Sequence, residues 1–499
     1  MSAENVIYFD VSDVVEFARS NDRLSGIQRV SIEIIKYLSQ VQGGENLRLI
    51  CYHPLFRRML WFSAEPFDAS YVYDQAEFCR HFCIDYRAAG VRRLRDHLKK
   101  RYKSSLKRAF HGWRLRLRNA LDHGRTFERL KIIQKRSRRF EAKPANAFEV
   151  SFETGDRVFI TGATWGDLFR KYVDALTEAK RKVGIEVSLF VHDLIPLACP
   201  EHVVDNVPEQ FSDWISRMSG LVDLFLVNSE ATRRDLERFM RTYTERATPI
   251  RVVPLAHEFL LPESRNREGG QAPAKFFDPE RHGFNGRRLR ADVLNAAQLS
   301  YVLVVGTIES RKNVWTLATV WQEVHRRLGF DTPRLVFAGK HGWLKGPFDD
   351  FLQGTGSLNG YIRIVDRPDD FELAYLYKRC LFSVCVSYYE GWGLPIGESL
   401  WFGRPVVASN VSSMPEVGGP LVEYADPYDP RSILDACLKL ITDDDHREAM
   451  ARRIRREDLR RWSDVAEGIW QALTASIGPE GGQGAAPVVS VSAMARPSR

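Results

Sequence analysis

The chain has no run of about 18 apolar residues, the length a helix needs to cross a bilayer, so no transmembrane segment is expected. No cleaved leader is expected either: the opening MSAENVIYFD carries acids and passes straight into a strand-like run. Cysteine is scarce. Seven are scattered at 51, 79, 83, 199, 380, 385 and 437, an odd, dispersed set that speaks for a reducing cytoplasm and against a disulfide scaffold. Cys79 and Cys83 could share a helix face, but no second Cys or His pair follows at a zinc spacing. They read as buried thiols, and no metal site is expected.

What is present is an ordinary globular composition with 44% hydrophobic and 11% aromatic residues in 499, enough for roughly two to three domains. The net charge of +8 is uneven. Residues 91–140 hold 19 Lys and Arg against 3 Asp and Glu, an excess of +16 that leaves −8 on the remaining 449. Within that segment Val91, Leu94, Leu98, Tyr102, Leu106, Phe110 and Trp113 recur every three or four residues, a helical stripe among cations. Such a helix could pack on its own domain by the stripe or lie at an anionic membrane surface. Nucleic acid is a weaker third reading, because no nucleic-acid motif accompanies the charge.

Strand-like and helix-like segments alternate in two series. The first includes VIYFDV (6–11), LRLICY (47–52), RVFITG (157–162), IEVSLFV (185–191), LVDLFLV (221–227) and IRVVPL (250–255). The second includes YVLVVGT (301–307), RLVFAG (334–339), YIRIV (361–365), LFSVCVS (381–387) and PVVAS (405–409). Two such series predict an α/β protein of two Rossmann-like, doubly wound domains with parallel sheets. The expected boundaries are 1–260 for the first domain, with a basic helical insertion at about 91–150, and 300–460 for the second. Residues 261–299 read as a linker, 461–477 as a final helix crossing back to the first domain, and 478–499 as a Gly/Pro/Ser/Ala-rich disordered tail.

Four stations lie at strand ends or helix starts, where open α/β sheets bind ligands. Ser25–Gly26 opens an amphipathic helix, which suits a phosphate or is a plain cap. His192 follows a buried strand in FVHDLIPL and can bond a sugar or phosphate oxygen, or a loop carbonyl. Gly306 ends VLVVG, and Arg311 and Lys312 sit near the opening of the next helix. Two cations there oppose the helix dipole, so a bound anion would reconcile them, with Asn313 as a candidate cap. The fourth is YYEGWGLPIGESLWFG (388–403), where Glu390 and Glu398 flank a Gly/Pro turn and Glu398 is expected in the first helical turn. A carboxylate suits vicinal hydroxyls; a cap role could explain Glu398 but not Glu390.

EGWGLPIGE resembles the E-x7-E signature of retaining glycosyltransferases of family 4, which have the two-domain GT-B fold. VGTIESRKN, AGKHGW, RPVVASNVSSMPEVGG and LVNSEATRRDL are similar to that family's pattern as well. FDVSDVV…SGIQRV resembles the start of a bacterial branch that builds O-antigen and similar polysaccharides, often mannosyltransferases. The resemblance is dense over about 301–425, patchier over 1–260, and absent from the basic segment and tail.

It implies that Arg311 and Lys312 hold a donor diphosphate, Glu398 the ribose, Glu390 the sugar hydroxyls and Gly26 the distal phosphate. His192 would lie near the sugar, Asp366 and Arg367 near the base, and Gly306, Gly391, Trp392, Gly393 and Leu394 would line the donor. It further implies a nucleotide-sugar donor, a glycan or lipid-linked acceptor, no cofactor and no metal. A cytoplasmic enzyme, peripheral at the inner membrane face, is the expected setting. A nucleotide-sugar epimerase of the same fold and a non-catalytic membrane-bound scaffold are the alternatives, against which the runs VGTIESRKN and EGWGLPIGE weigh.

Overall fold

The structure is a computed structural model. It describes residues 6–53 apart from 22, 23, 25 and 42–45; 58–85 apart from 69 and 72; 98; 104–121; 139–140; 147–261 apart from 166–168 and 245; and 289–475. Ser25, most of the basic segment, most of the 261–299 linker and the tail lie outside the described residues.

The first sheet takes strands β1 (Ile7–Asp10), β2 (Leu47–His53), β3 (Arg58–Ser63), β6 (Phe148–Glu149), β7 (Arg157–Ile160), β8 (Glu186–Val191), β9 (Leu224–Val227) and β10 (Ile250–Val252). Two short strands, β4 (Ile84–Asp85) and β5 (Arg139–Phe140), pair with each other. The first sheet runs β10-β9-β8-β7-β1-β2-β3-β6, parallel from β10 to β2. At its edge β3 and β6 are antiparallel, a hairpin extension that the β/α alternation does not register.

The second sheet takes β11 (Tyr301–Val305), β12 (Arg334–Gly339), β13 (Ile362–Asp366), β14 (Ser383–Cys385), β15 (Val406–Ser409) and β16 (Glu423–Ala425). It is wholly parallel, in the order β13-β12-β11-β14-β15-β16. The order reverses between β1 and β7 in one sheet and between β11 and β14 in the other. The loops leaving those strands therefore open crevices at the carboxyl edge.

Side-chain pattern explains why the helices sit where they do. The Val314–Leu328 helix buries Val314, Leu317, Ala318, Trp321 and Val324, one stripe at helical spacing, against its sheet. The Asp370–Arg379 helix starts with a capping box, Asp369 and Glu372 each bonding the other's backbone N–H. The last described helix, Trp462–Thr474, buries Trp462, Val465, Ile469 and Leu473 and packs on the first domain's Ile27–Leu38 helix. Arg251 bonds the carbonyl of Ala472 at 2.8 Å, and Arg157 that of Leu473, which fastens the helix C-terminus to the first sheet.

In the basic segment the Ser105–Leu121 helix is described. Of the stripe residues, Val91, Leu94 and Tyr102 lie outside the described residues, and Leu98 is buried. Gly112 is the inward residue, with Leu98 close enough that a Cβ would meet its Cδ1 at 3.0 Å. Phe110 (59% exposed), Trp113 (62%) and Leu117 (47%) face outward. A helix turns about 100° per residue, so a face that packs through Gly112 turns Phe110 and Trp113 away from it.

Candidate active site

Arg311 and Lys312 lie in a 3₁₀ turn, Ser310–Lys312, just after β11. Both side chains reach one carboxylate, that of Glu390 in the loop after β14. Arg311 Nη1 lies 3.0 Å from Glu390 Oε2, and Lys312 Nζ pairs with Oε1. Ser387 Oγ donates to the same Oε1 at 2.6 Å. Arg311 also bonds Glu309 at 3.0 Å and the carbonyl of Tyr389 at 2.5 Å. Burial alone would raise the Glu390 carboxyl, but Arg311 and Lys312 outweigh it and hold the group at about 2. The two cations are therefore not a solvated face; a buried carboxylate lies between them.

The loop is anchored from below. Ser413 Oγ donates to the carbonyls of Glu390 (2.8 Å) and Trp392 (2.7 Å), and the Glu390 N–H donates to Ser412 at 3.1 Å. Gly306 (φ +133°) ends β11 beside Lys312, whose Cε and Nζ would lie 3.5 and 3.6 Å from a Cβ there. Gly391 meets the other domain: a Cβ would sit 2.1 Å from the carbonyl oxygen of His192. Any larger residue at 391 would push the two domains apart.

His192, after β8, directs Nε2 to the carbonyl of Thr161 at 2.6 Å. A carbonyl only accepts, so Nε2 carries the proton and Nδ1 is an acceptor. Burial lowers the imidazole to about 4, against the smaller opposing effect of that bond, so the ring is neutral at pH 7.

Glu398 is placed differently. The helix begins at Leu394, after Gly393 (φ +112°), so Glu398 is in its second turn rather than its first and caps nothing. Tyr377 OH donates to Oε2 at 2.9 Å, and Arg29 of the first domain lies 3.3 Å from Oε1. Arg29 also sits 4.6 Å over the Phe259 ring. Burial raises the Glu398 carboxyl, with Arg29 and Tyr377 opposing it.

Gly26 (φ +52°) precedes the Ile27–Leu38 helix one turn before Arg29, exposed and with nothing near a Cβ. Asp366 ends β13 and Arg367 follows at φ +47°, both exposed on the far side of β12 from Lys312. Leu394 is half-buried. The Trp392 side chain is only 5% exposed and belongs to the same core cluster as Met414 and Val417. Asn313 departs from the expected cap. It sits at φ +57° before the helix, and its amide bonds the Pro427 carbonyl at 2.9 Å instead of capping.

Residues that sequence reasoning did not single out close the cleft. Ser229 Oγ donates to the Gly391 carbonyl at 2.9 Å, and Tyr389 OH bonds Asp235. Glu416 accepts the N–H groups of Glu230 (2.7 Å) and Ala231 (2.9 Å), so a second-domain carboxylate caps a first-domain helix. The His202 ring stacks on Tyr388 at 5.1 Å. LVNSEATRRDL was noticed as a motif, but its partner across 186 positions leaves no local trace. Among the described residues, no group of three His, Cys, Asp or Glu could hold a metal ion.

Paired cations and carboxylates thus lie at a switch point of the second sheet, facing a second Rossmann-like domain. Residues 287–457 match the sequence family described as Glycosyl transferases group 1, so the second domain is a group 1 glycosyltransferase domain. Among curated relatives, the O-antigen chain mannosyltransferase B of Escherichia coli is 37% identical over 164 residues, 32% of this chain and 42% of that protein. The serotype-specific mannosyltransferase WbdA of Escherichia coli is 24% identical over 294 residues, 58% of this chain and 33% of that protein. The chain thus spans under half the length of these relatives. Among solved structures, the sucrose-phosphate synthase tll1590 of Thermosynechococcus elongatus covers 94% of this chain and 98% of its own, with a TM-score of 0.52 at 14% identity. That likeness is one of fold, and the fold is GT-B.

Proposed function

We propose that the protein is a retaining glycosyltransferase that moves a hexosyl unit, mannose by the names of its relatives, from a nucleotide-sugar to a glycan or lipid-linked glycan. The observation that carries this reading is the convergence of Arg311 and Lys312 beside Gly306, at the reversal of the second sheet. A diphosphate lying over Gly306 would take donors from both cations, with Glu390 freed to meet sugar hydroxyls. Glu398 would bind the ribose, Asp366 and Arg367 the base, and Gly26 the distal phosphate.

In the reaction the bond from the anomeric carbon to the phosphate oxygen breaks and one to the acceptor oxygen forms. Negative charge builds on the leaving diphosphate, where Arg311 and Lys312 stabilise it most. Retention follows if the acceptor attacks from the leaving-group face and its proton passes to the departing phosphate. Neutral His192, an acceptor at Nδ1, suits a sugar hydroxyl. A screen of GDP-, UDP-, ADP- and dTDP-sugars, read as nucleotide release with and without acceptor, tests the reading. Release of none of the four overturns it.

The same reading sets the enzyme at the cytoplasmic face of a membrane, where a lipid-linked acceptor would wait. Its support is the outward face of Phe110, Trp113 and Leu117 with Lys107, Arg114 and Arg118 beside it. Apolar rings entering the headgroup region below a cationic rim fit an anionic lipid surface. Each basic residue there contributes about 1 kcal/mol, screened by salt. Co-sedimentation with phosphatidylglycerol liposomes should fall in high salt and in a Phe110→Ser/Trp113→Ser variant. Equal recovery with neutral and anionic liposomes removes the membrane from the account.

A further inference from the structure

The run LVNSEATRRDL (226–236) supplies no side chain to the donor cluster, yet it grips both halves of the site. It leaves β9 and enters the Glu230–Tyr243 helix of the first domain, capped by Ser229. Asn228, 2% exposed, donates Nδ2 to the carbonyl of His192 at 2.8 Å. Its Oδ1 accepts from Thr232 Oγ1 at 3.1 Å, so both ends of the amide are used and its orientation is fixed. Ser229 Oγ donates to the Gly391 carbonyl across the cleft. Further along the helix, Asp235 accepts from the Tyr389 hydroxyl. Burial, with Asp235 beside it, pushes that phenol well up, so it stays protonated and donates.

The far ends of these bonds lie in the donor cluster. Tyr389 and Gly391 flank Glu390, whose carboxylate turns to Arg311 and Lys312. Tyr389 also offers its carbonyl to Arg311 at 2.5 Å. A second first-domain residue grips the other side of the same loop. His202 stacks on Tyr388 and bonds Ser310 Oγ at 3.1 Å, at the start of the turn that carries both cations.

Residues 228–235 are therefore bonded at one end to the residue that carries the neutral imidazole. At the other end they are bonded to the neighbours of the carboxylate and the cations. His192 cannot shift against that cluster without breaking one of these bonds. Displacing a reacting group by about 1 Å can cost about 10²-fold in rate, so the tether has a consequence for turnover as well as for stability.

We infer that Asn228 and Asp235 are positioning residues for the transfer step, setting His192 against the Glu390–Arg311–Lys312 cluster without touching the donor. The inference rests on the glycosyltransferase reading. Tyr389→Phe removes one oxygen, Asp235→Ala removes its acceptor, and Asp235→Asn keeps an oxygen that can accept. Turnover is read on whichever of the four nucleotide-sugars named above wild type uses fastest, and binding on the matching nucleoside diphosphate.

Tyr389→Phe and Asp235→Ala should each lower kcat about tenfold, with the double variant no lower than either. Asp235→Asn should recover to within about threefold of wild type, and nucleoside diphosphate affinity should stay within about twofold throughout, because both cations remain. Asn228→Ala should lower kcat by a similar factor; if it does not fold, the Tyr389–Asp235 pair still decides. A merely structural contact would lower the melting temperature and leave kcat alone. Wild-type kcat in Tyr389→Phe and Asp235→Ala therefore overturns the inference and leaves a contact between domains only. A wild type that turns over none of the four nucleotide-sugars removes the glycosyltransferase reading itself, and this inference with it.

Discussion

Glu390 and Glu398 belong to one loop and are equally buried, yet they are held in opposite ways. Glu390 has two cations, both from its own domain, and its carboxyl lies at about 2. Glu398 has one cation, from the other domain, plus a tyrosine hydroxyl, and its carboxyl is raised. Opening the cleft would strip Arg29 from Glu398 and leave every partner of Glu390 in place. One carboxylate is thus part of a fixed ionic cluster in the second domain. The other reports whether the domains are closed.

The sharpest way to break this comparison is to remove a cation. Arg311→Ala should lower transfer by about 10²–10³-fold, the scale of losing one group that stabilises leaving-group charge. Arg29→Ala should cost only a few-fold. Steady-state rates on the same donor compare them, and a larger loss at Arg29 would invert the assignment.

His192→Ala comes next, with about a 10²-fold fall in kcat if the ring holds a sugar hydroxyl. Because burial keeps the imidazole near 4, wild-type kcat should show no titration of this residue between pH 6 and 8. A step in the wild-type profile near 6.5 that His192→Ala abolishes would show the ring is not held neutral.

Stability sharpens the contrast further. Glu390→Gln leaves two cations with less compensation and should cost about 3–5 kcal/mol. Glu398→Gln keeps an acceptor for Tyr377 and should cost about 1 kcal/mol. The pH dependences have opposite signs. The folded carboxyl of Glu390 is depressed, so its stabilisation is present above 4.5 and lost as pH falls toward 2. That of Glu398 is raised, so wild type gains on Glu398→Gln as pH falls toward 4.5, and the gain is complete below it. Urea midpoints of the three proteins at pH 5.5 and 3.5 read both signs, and parallel shifts would erase the distinction.

The apolar runs 301–305 and 334–339 became strands of a parallel sheet because each is buried on both faces and flanked by turn residues. The loop around Glu390 was legible because its glycines and acid have no reason to coexist in a plain turn. Strand β3, RMLWFS, was not: its pairing with β2 depends on the neighbour, not on its own pattern. Arg29 looked like one cation on an amphipathic helix, and nothing within its segment announces a carboxylate 369 residues away. Local chemistry marked the loops, and long-range packing decided which side chains reach the cleft.

The central claim is that Arg311 and Lys312 hold the diphosphate of a sugar donor whose anomeric configuration survives transfer. The most direct measurement incubates wild type and Arg311→Ala with GDP-mannose and a mannose oligosaccharide and follows the anomeric signals by NMR. The account predicts free GDP and an α-linked product from wild type, and neither from a folded Arg311→Ala. A β-linked product, or Arg311→Ala working at the wild-type rate, would contradict it.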